Sequence, residues 1–242
     1  MIKKNVEEFN KDVLENQGFI YTTNLKFSSI VSNKRISDEV KLKIAPGTKT
    51  IFDAGCGDGT YTQEIKNNFP DAHVLAADPS NEGIRIAQGK YQGIDFFILD
   101  LENDKAFDRF QNIIDVTVIR GVLHHMNNPV NGIQNISRIT KKIIIVEPNG
   151  NNPILKVIEK TSKYHIEHEE QSFSTKTLKK WCLDNGFENI KVTYIGLVPF
   201  FFPTLFAKII YFFQPLVEKL PIINKYFCAQ IVLTANKLHD KK

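Results

Sequence analysis

The sequence predicts an α/β domain with a doubly wound, mostly parallel, seven-stranded sheet and helices on both faces. Two observations favour this class: short β-branched runs alternate with helical patterns, and the runs are almost continuously apolar, as in sheets covered on both faces. The chain has 242 residues, of which 42% are hydrophobic. That is enough for one large packed domain, and no long Gly/Ser linker divides it.

The predicted strands are seven short apolar runs: Thr50–Ala54, His73–Ala77, Asp95–Leu99, Ile113–Ile119, Lys142–Val146, Asn189–Val198 and Phe227–Ala235. Apolar residues recur at helical spacing in four segments between them: Thr60–Phe69, Ser80–Tyr91, Pro129–Thr140 and Thr175–Asn185. Strands that alternate with helices in this way imply crossover connections and therefore parallel neighbours. Residues 1–49 carry polar helical patterns and are expected to cap a domain of residues 50–242. Two insertions are expected within that domain, at about 150–174 and 199–225.

Composition bounds the function classes. The 31 basic and 27 acidic residues leave a net charge of only +4, and the lysine pairs are scattered. A nucleic-acid surface usually needs a concentrated basic stripe, so no nucleic-acid partner is expected. Three distant cysteines without a CxxC pair argue against a disulfide framework or zinc site and fit a reducing cytoplasm. The first seventeen residues are too polar for a secretory signal.

The most informative segment is the loop after the first predicted strand, Asp53-Ala-Gly-Cys-Gly-Asp-Gly59. Glycines at alternate positions let the backbone turn tightly and let a ligand approach main-chain N–H groups. The alternative is a nicotinamide-dinucleotide fingerprint, but its third glycine would fall on Thr60. Asp53 and Asp58 also suit an ammonium or sulfonium ligand better than a pyrophosphate.

Acids end or follow three successive predicted strands. Asp53 ends the first strand, Asp78 follows the second, and Asp100 follows the third. These positions meet at the carboxyl edge of a parallel sheet, where such folds bind ligands. Asp78 has the spacing at which nucleotide-binding folds place a carboxylate against ribose hydroxyls.

The runs DAGCGDGTYT at Asp53, AAD ending at Asp78, LDL at Asp100 and IRGVLHHM ending at Met126 resemble the class I S-adenosylmethionine-dependent methyltransferases. The likeness is greatest to the group that includes quinone-biosynthesis enzymes, and it is strong over about residues 50–150. It implies a Rossmann-like methyltransferase fold and an S-adenosylmethionine cofactor, with S-adenosylhomocysteine as product. The implied cofactor contacts are Asp53, Gly55 and Gly57 at the methionine part, Asp78 with neighbouring Pro79 at the ribose, Asp100 and Leu101 at the adenine, and the Arg120 backbone at the amine.

Methyl transfer to an oxygen usually requires a base, and histidines supply the candidates. His124 and His125 follow the fourth strand on the ligand side, although as a pair they could also be the start of a helix. His165 and His168 follow the fifth strand in a segment dense in proton-transfer groups, which could instead be a solvated loop. With Glu169 these two could share a helical face and hold a metal, but two histidines with carboxylates are weak evidence, so no metal is predicted.

The Phe- and Pro-rich stretch at 199–217 interrupts the last two strands. Its helical part between Pro203 and Pro215 would be about 15 Å long, too short to cross a bilayer. We interpret it as a lid over an apolar acceptor; membrane-surface docking, a dimer contact and plain core packing are the alternatives. The predicted partner is therefore a small-molecule, lipid-like or lipid-linked saccharide acceptor methylated on oxygen. The predicted location is cytoplasmic, with peripheral contact at the inner membrane face left open. An RNA methyltransferase and a non-catalytic S-adenosylmethionine-binding protein are the other functional readings.

Overall fold

The computed structural model describes residues 6–7, 10–11, 13–14, 18–110, 114–161, 171–200 and 202–238. They contain a seven-stranded sheet in the order β3-β2-β1-β4-β5-β7-β6. The strands are β1 Thr50–Ala54, β2 His73–Asp78, β3 Asp95–Ile98, β4 Val116–Arg120, β5 Lys142–Pro148, β6 Phe187–Ile195 and β7 Gln230–Lys237. β1 to β5 pair in parallel, and β7 runs antiparallel to both β5 and β6. The predicted fold class is confirmed.

Helices surround the sheet: α1 Ile20–Thr23, α2 Phe27–Lys43, α3 Thr60–Asn68, α4 Asn81–Lys90, α5 Pro129–Ser137, α6 Pro153–Thr161, α7 Thr175–Asp184, α8 Thr204–Lys219 and α9 Pro221–Phe227. Helices α2, α3 and α4 bury apolar side chains in one core cluster, and α5 and α7 contribute to a second. Each face of the sheet is thereby shielded from water, which explains why β1, β4 and β5 are apolar almost throughout.

The end of β6 and the start of β7 differ from the prediction. β6 stops at Ile195 instead of Val198, because Leu197 donates its N–H to the Gln214 side chain at 3.0 Å and leaves the ladder. β7 begins at Gln230 instead of Phe227, since the residues before it form α9. The final antiparallel strand predicted from the resemblance is nevertheless present.

The helix expected between Pro203 and Pro215 is longer than predicted. α8 has 16 residues and continues through Pro215 to Lys219. A proline inside a helix leaves the carbonyl four residues earlier, here that of Tyr211, without its helical donor. Tyr211 and Pro215 are both exposed, so water can reach this part of the helix. No helix among the described residues is both long and apolar enough to traverse a bilayer.

Candidate cofactor and acceptor site

A cavity of about 530 Å³ opens at the carboxyl edge of the sheet, where the predicted site residues converge. Seven of the eight predicted cofactor residues line it: Gly55, Gly57, Asp78, Pro79, Asp100, Leu101 and Arg120. The predicted base His124 lines it as well, and Asp53 does not. The volume falls in the range of sites for small molecules and cofactors.

The glycine loop is held against β2 by main-chain hydrogen bonds. Gly55 and Cys56 donate their N–H groups to the Ala77 carbonyl at 2.7 and 3.0 Å. Gly55, Gly57 and Gly59 all have positive φ, at 90°, 57° and 76°. L-residues with a Cβ rarely adopt this conformation, so the alternating glycines are what allow the chain to turn here and enter α3.

Asp78 lies at the centre of the polar wall. Its two carboxylate oxygens accept the N–H groups of Gly57 at 2.9 Å and Ser80 at 2.8 Å. Burial raises the pKa of Asp78 to about 6, although these two hydrogen bonds favour the ionised form. The carboxylate therefore fixes the loop geometry and also lines the cavity.

Asp53 lies behind the loop. Thr62 on α3 donates its hydroxyl to Asp53 at 2.6 Å, and burial raises the pKa of Asp53 to about 6. In this position the Asp53 side chain does not line the cavity. Asp53 instead joins the end of β1 to the start of α3, which positions the glycines between them.

Asp58 has a role that local sequence does not indicate. It accepts the Phe19 N–H at 3.1 Å and the Thr22 hydroxyl at 2.5 Å. Phe19 and Thr22 themselves line the cavity. The segment around α1 is thus tied over the glycine loop by a residue about forty positions away.

The Arg120 side chain also has a structural role beyond the predicted backbone contact. Its guanidinium lies 3.5 Å from the ring centroid of Tyr61 on α3 and donates to the Ser37 hydroxyl at 2.9 Å and to Asn33 on α2. Burial lowers the pKa of Arg120 from its ordinary value. Because Arg120 ends β4, it links the sheet edge to two helices that form the cavity.

His124 and His125 both line the cavity just after β4. His124 Nδ1 lies 2.7 Å from Oε2 of Glu147, whose side chain is fully buried. The other oxygen, Oε1, accepts the N–H groups of Val122 and Leu123 at 2.9 and 2.8 Å. Glu147 was not among the predicted site residues, because only the pairing of β4 with β5 brings it to this histidine.

The two other predicted bases, His165 and His168, lie outside the described residues, as does Glu169, which was considered with them as a metal ligand and not predicted to be one. Among the described residues, no group of three His, Cys, Asp or Glu side chains could hold a metal ion.

Part of the remaining wall is apolar and comes from two segments. α6 contributes Leu155 and Ile158, and the segment before α8 contributes Pro199, Phe200 and Phe202. Serines on α2 hold this second segment. Ser28 and Ser29 donate to the Phe200 carbonyl at 2.7 and 2.9 Å, and Ser32 donates to the Val198 carbonyl at 2.7 Å.

The sheet order, the reversed last strand and a glycine loop beside the acid that ends β2 define the class I S-adenosylmethionine-dependent methyltransferases. The sequence model of the methyltransferase domain family matches residues 32–192, and the chain belongs to this family. Its cofactor is S-adenosylmethionine. The cavity residues fit that molecule: Gly55 and Gly57 have no Cβ to block a ligand, Asp78 offers a carboxylate for hydroxyl donors, and there is room for a nucleoside.

Proteins similar to this chain are also named as methyltransferases. A protein of Invertebrate iridescent virus 6 named as a methyltransferase is 25% identical over 45% of this chain and 42% of its own length. The malonyl-[acyl-carrier protein] O-methyltransferase of Bacillus anthracis is 30% identical over 32% of this chain and 33% of its own. The alignments thus span less than half of either relative. The solved S-adenosylmethionine-dependent methyltransferase from Archaeoglobus fulgidus superposes with a TM-score of 0.58 at 17% identity, covering 88% of this chain and all of that one.

Proposed function

We propose that this methyltransferase methylates an oxygen of a small lipid-like or lipid-linked saccharide acceptor. The observation that carries the proposal is that one cavity joins the polar cofactor wall to an apolar wall built by the insertions. A small polar acceptor would gain nothing from Leu155, Phe200 and Phe202, whereas an alkyl or isoprenoid chain would be desolvated by them.

In this proposal the glycine loop presents main-chain groups to the methionine part, and Asp78 accepts hydrogen bonds from the ribose hydroxyls. Pro79, Asp100 and Leu101 form the adenine pocket, and the Arg120 backbone lies near the amine. Asp53 acts indirectly, because its carboxylate is bonded to Thr62 and sets the position of the loop. S-adenosylmethionine supplies an electrophilic methyl group on a sulfonium, and the protein must align an acceptor with it.

We further propose that His124 is the base. If Nδ1–H donates to Glu147, the imidazole is held as the tautomer whose lone pair is on Nε2. With S-adenosylmethionine and the acceptor bound, Nε2 of His124 would take up the acceptor's hydroxyl proton as the methyl group passes to the oxygen and S-adenosylhomocysteine leaves. Glu147 is then a positioning residue, and its negative charge stabilises the imidazolium that forms. The Bacillus anthracis relative, an O-methyltransferase by name, supports oxygen chemistry.

The test supplies S-adenosylmethionine with a trideuterated methyl group together with either a chloroform-soluble lipid extract or total RNA. We expect the label, measured by mass spectrometry, in the lipid fraction. Label in RNA alone would overturn the proposed acceptor, and label in neither with intact cofactor binding would favour a non-catalytic protein.

His124→Ala should reduce turnover by about 10²–10⁴-fold, the usual contribution of a general base, while S-adenosylhomocysteine affinity stays near that of the wild type. His73→Ala is the matched control, because His73 is an exposed histidine on β2 paired with Asp95 and does not line the cavity. Equal turnover of the two variants would reject His124 as the base.

A further inference from the structure

Helix α8 turns its apolar side away from the protein. Six exposed side chains form this surface, which we call the docking face: Leu205, Phe206, Ile209, Phe212, Phe213 and Leu216. At about 100° per residue they occupy an arc of about 120° on the helix. Phe212 is 78% exposed, whereas Ala207, on the opposite side of the helix, is fully buried. Helices on a folded domain usually have the reverse arrangement.

Polar contacts fix this orientation. Gln214, on the inward side, accepts the Leu197 N–H at 3.0 Å. Glu218 forms an ion pair with Arg35 on α2 at 2.9 Å and accepts the Gly196 N–H at 2.8 Å. Rotating α8 to bury the phenylalanines would break these contacts and leave the buried groups without partners, which costs free energy.

The apolar surface extends beyond α8 and reaches the cavity. Helix α9 adds exposed Ile222 and Phe227 and packs against α6. At the other side, the ring of Phe206 lies 6.3 Å from that of Phe202, centroid to centroid, and Phe202 lines the cavity. One continuous apolar surface therefore runs from the outside of α8 to the acceptor wall. Scattered single apolar residues are normal on protein surfaces, but a contiguous patch of this kind marks an interaction site.

The charges on α8 and α9 indicate whether this surface binds a second copy of the chain or a lipid surface. The α8–α9 segment carries three lysines, Lys208, Lys219 and Lys225, and a single acid, Glu218. That acid is turned inward, with 14% of its side chain exposed. A two-fold contact between copies would place this lysine-bearing surface against itself. An anionic lipid surface complements both the lysines and the apolar arc.

We propose that the docking face inserts into the interface of an anionic phospholipid membrane, so that the cavity opens toward the lipid. The statement that a lipid-like acceptor enters the cavity from the bilayer rests on the proposed function. The docking itself does not, since it requires neither cofactor nor acceptor.

The test is flotation of the full chain, without cofactor, with vesicles of phosphatidylglycerol and phosphatidylcholine. We expect binding that weakens in pure phosphatidylcholine and at high salt. Phe206→Ser combined with Phe212→Ser should lower partitioning by at least about tenfold, because two exposed rings no longer enter the apolar layer. Lys219→Glu should lower it by about fivefold or more.

Leu183→Ser and Lys179→Glu are the matched controls, since both change exposed side chains on α7 outside the docking face. Wild-type chain that does not bind the vesicles, or controls that lose binding as much as the docking-face variants, would overturn the proposal. So would a wild-type dimer, seen by sedimentation, that Phe212→Ser dissociates without any change in flotation. Calorimetry with S-adenosylhomocysteine and turnover of a detergent-dispersed lipid extract report separately on the proposed function.

Discussion

At the scale of single residues, Gly55 is a position that leaves no room for a side chain. It has φ of +90°, and a Cβ added there would lie 2.2 Å from the Val122 side chain. Gly55→Ala should therefore combine backbone strain with overpacking, cost about 1–3 kcal/mol in unfolding free energy and weaken S-adenosylhomocysteine binding. Urea unfolding and calorimetry measure the two effects.

Gly47→Ala provides the comparison for Gly55→Ala. Gly47 has φ of +80°, but nothing lies within 4 Å of the position of its Cβ. It should show only the backbone cost and bind the product normally. If both variants behave alike, the close approach to Val122 has no role in forming the site.

The raised pKa of Asp78 predicts that cofactor binding depends on pH. Burial raises its pKa to about 6, from an ordinary 3.8, so the carboxylate gains a proton as pH falls through 6. If ribose hydroxyls donate to the ionised form, S-adenosylhomocysteine affinity should fall by up to about tenfold between pH 7 and pH 5. Calorimetry across this range measures it.

The unfolding free energy of the unliganded chain should also depend on the ionisation of Asp78. Its change with pH should be opposite in sign to the change in binding affinity. Between about pH 4 and 6 the folded state binds more protons at this group than the unfolded state does, so the Asp78 contribution to unfolding free energy decreases as pH rises. Asp78→Asn should remove both effects. Asp53 also has a pKa of about 6, and Asp53→Asn identifies its share. A pH dependence of binding that persists in Asp78→Asn would contradict the assignment.

At the scale of elements, the attachment of α8 to α2 depends on Glu218. This carboxylate pairs with Arg35 at 2.9 Å and accepts the Gly196 N–H at 2.8 Å. Glu218→Ala removes both contacts and should cost about 2–4 kcal/mol in unfolding free energy, because partly buried groups lose their partner. Chemical denaturation measures the loss.

The Lys34–Asp38 pair on the same helix α2 is the control for Glu218→Ala. Its atoms lie 2.8 Å apart, but both side chains are more than half exposed. Exposed pairs of this kind contribute little, so Asp38→Ala should change stability much less than Glu218→Ala. Equal losses would show that burial does not distinguish the two pairs.

At the scale of the whole molecule, the cavity is built from segments distributed along the chain, from Val6 to Gln230. A ligand that binds only the folded state stabilises all of them together. S-adenosylhomocysteine at about 100 times its Kd should add about 2.7 kcal/mol and raise Tm by roughly 5–10 °C. Scanning calorimetry measures the shift. A nicotinamide dinucleotide should produce none, and an equal shift with that ligand would contradict the cofactor assignment.

The sequence alone determined the elements that neighbouring residues encode. Nearly continuous apolar runs and helical spacing predicted β1, α3 and a mostly parallel sheet, because strands covered on both faces are apolar throughout and residues at helical spacing share one face. The glycine loop could also be predicted from the sequence, because the tight turn requires positive φ at Gly55 and Gly57 and this depends only on the local backbone. The cofactor prediction, which rested on this loop, was confirmed by the family match. The roles of individual site residues, His165 and His168 included, stay predictions.

Only the tertiary structure decided which distant residues became partners. Nothing near Asp58 in sequence indicates Thr22, and nothing near His124 indicates Glu147. These pairs exist because crossover connections bring separate strands and loops to one edge of the sheet. The same holds for α8: its apolar residues predicted a helix with one apolar face, as a lid or a core helix would also have. The contacts of Glu218 turn that face toward solvent, and such long-range contacts leave no periodic trace in a sequence.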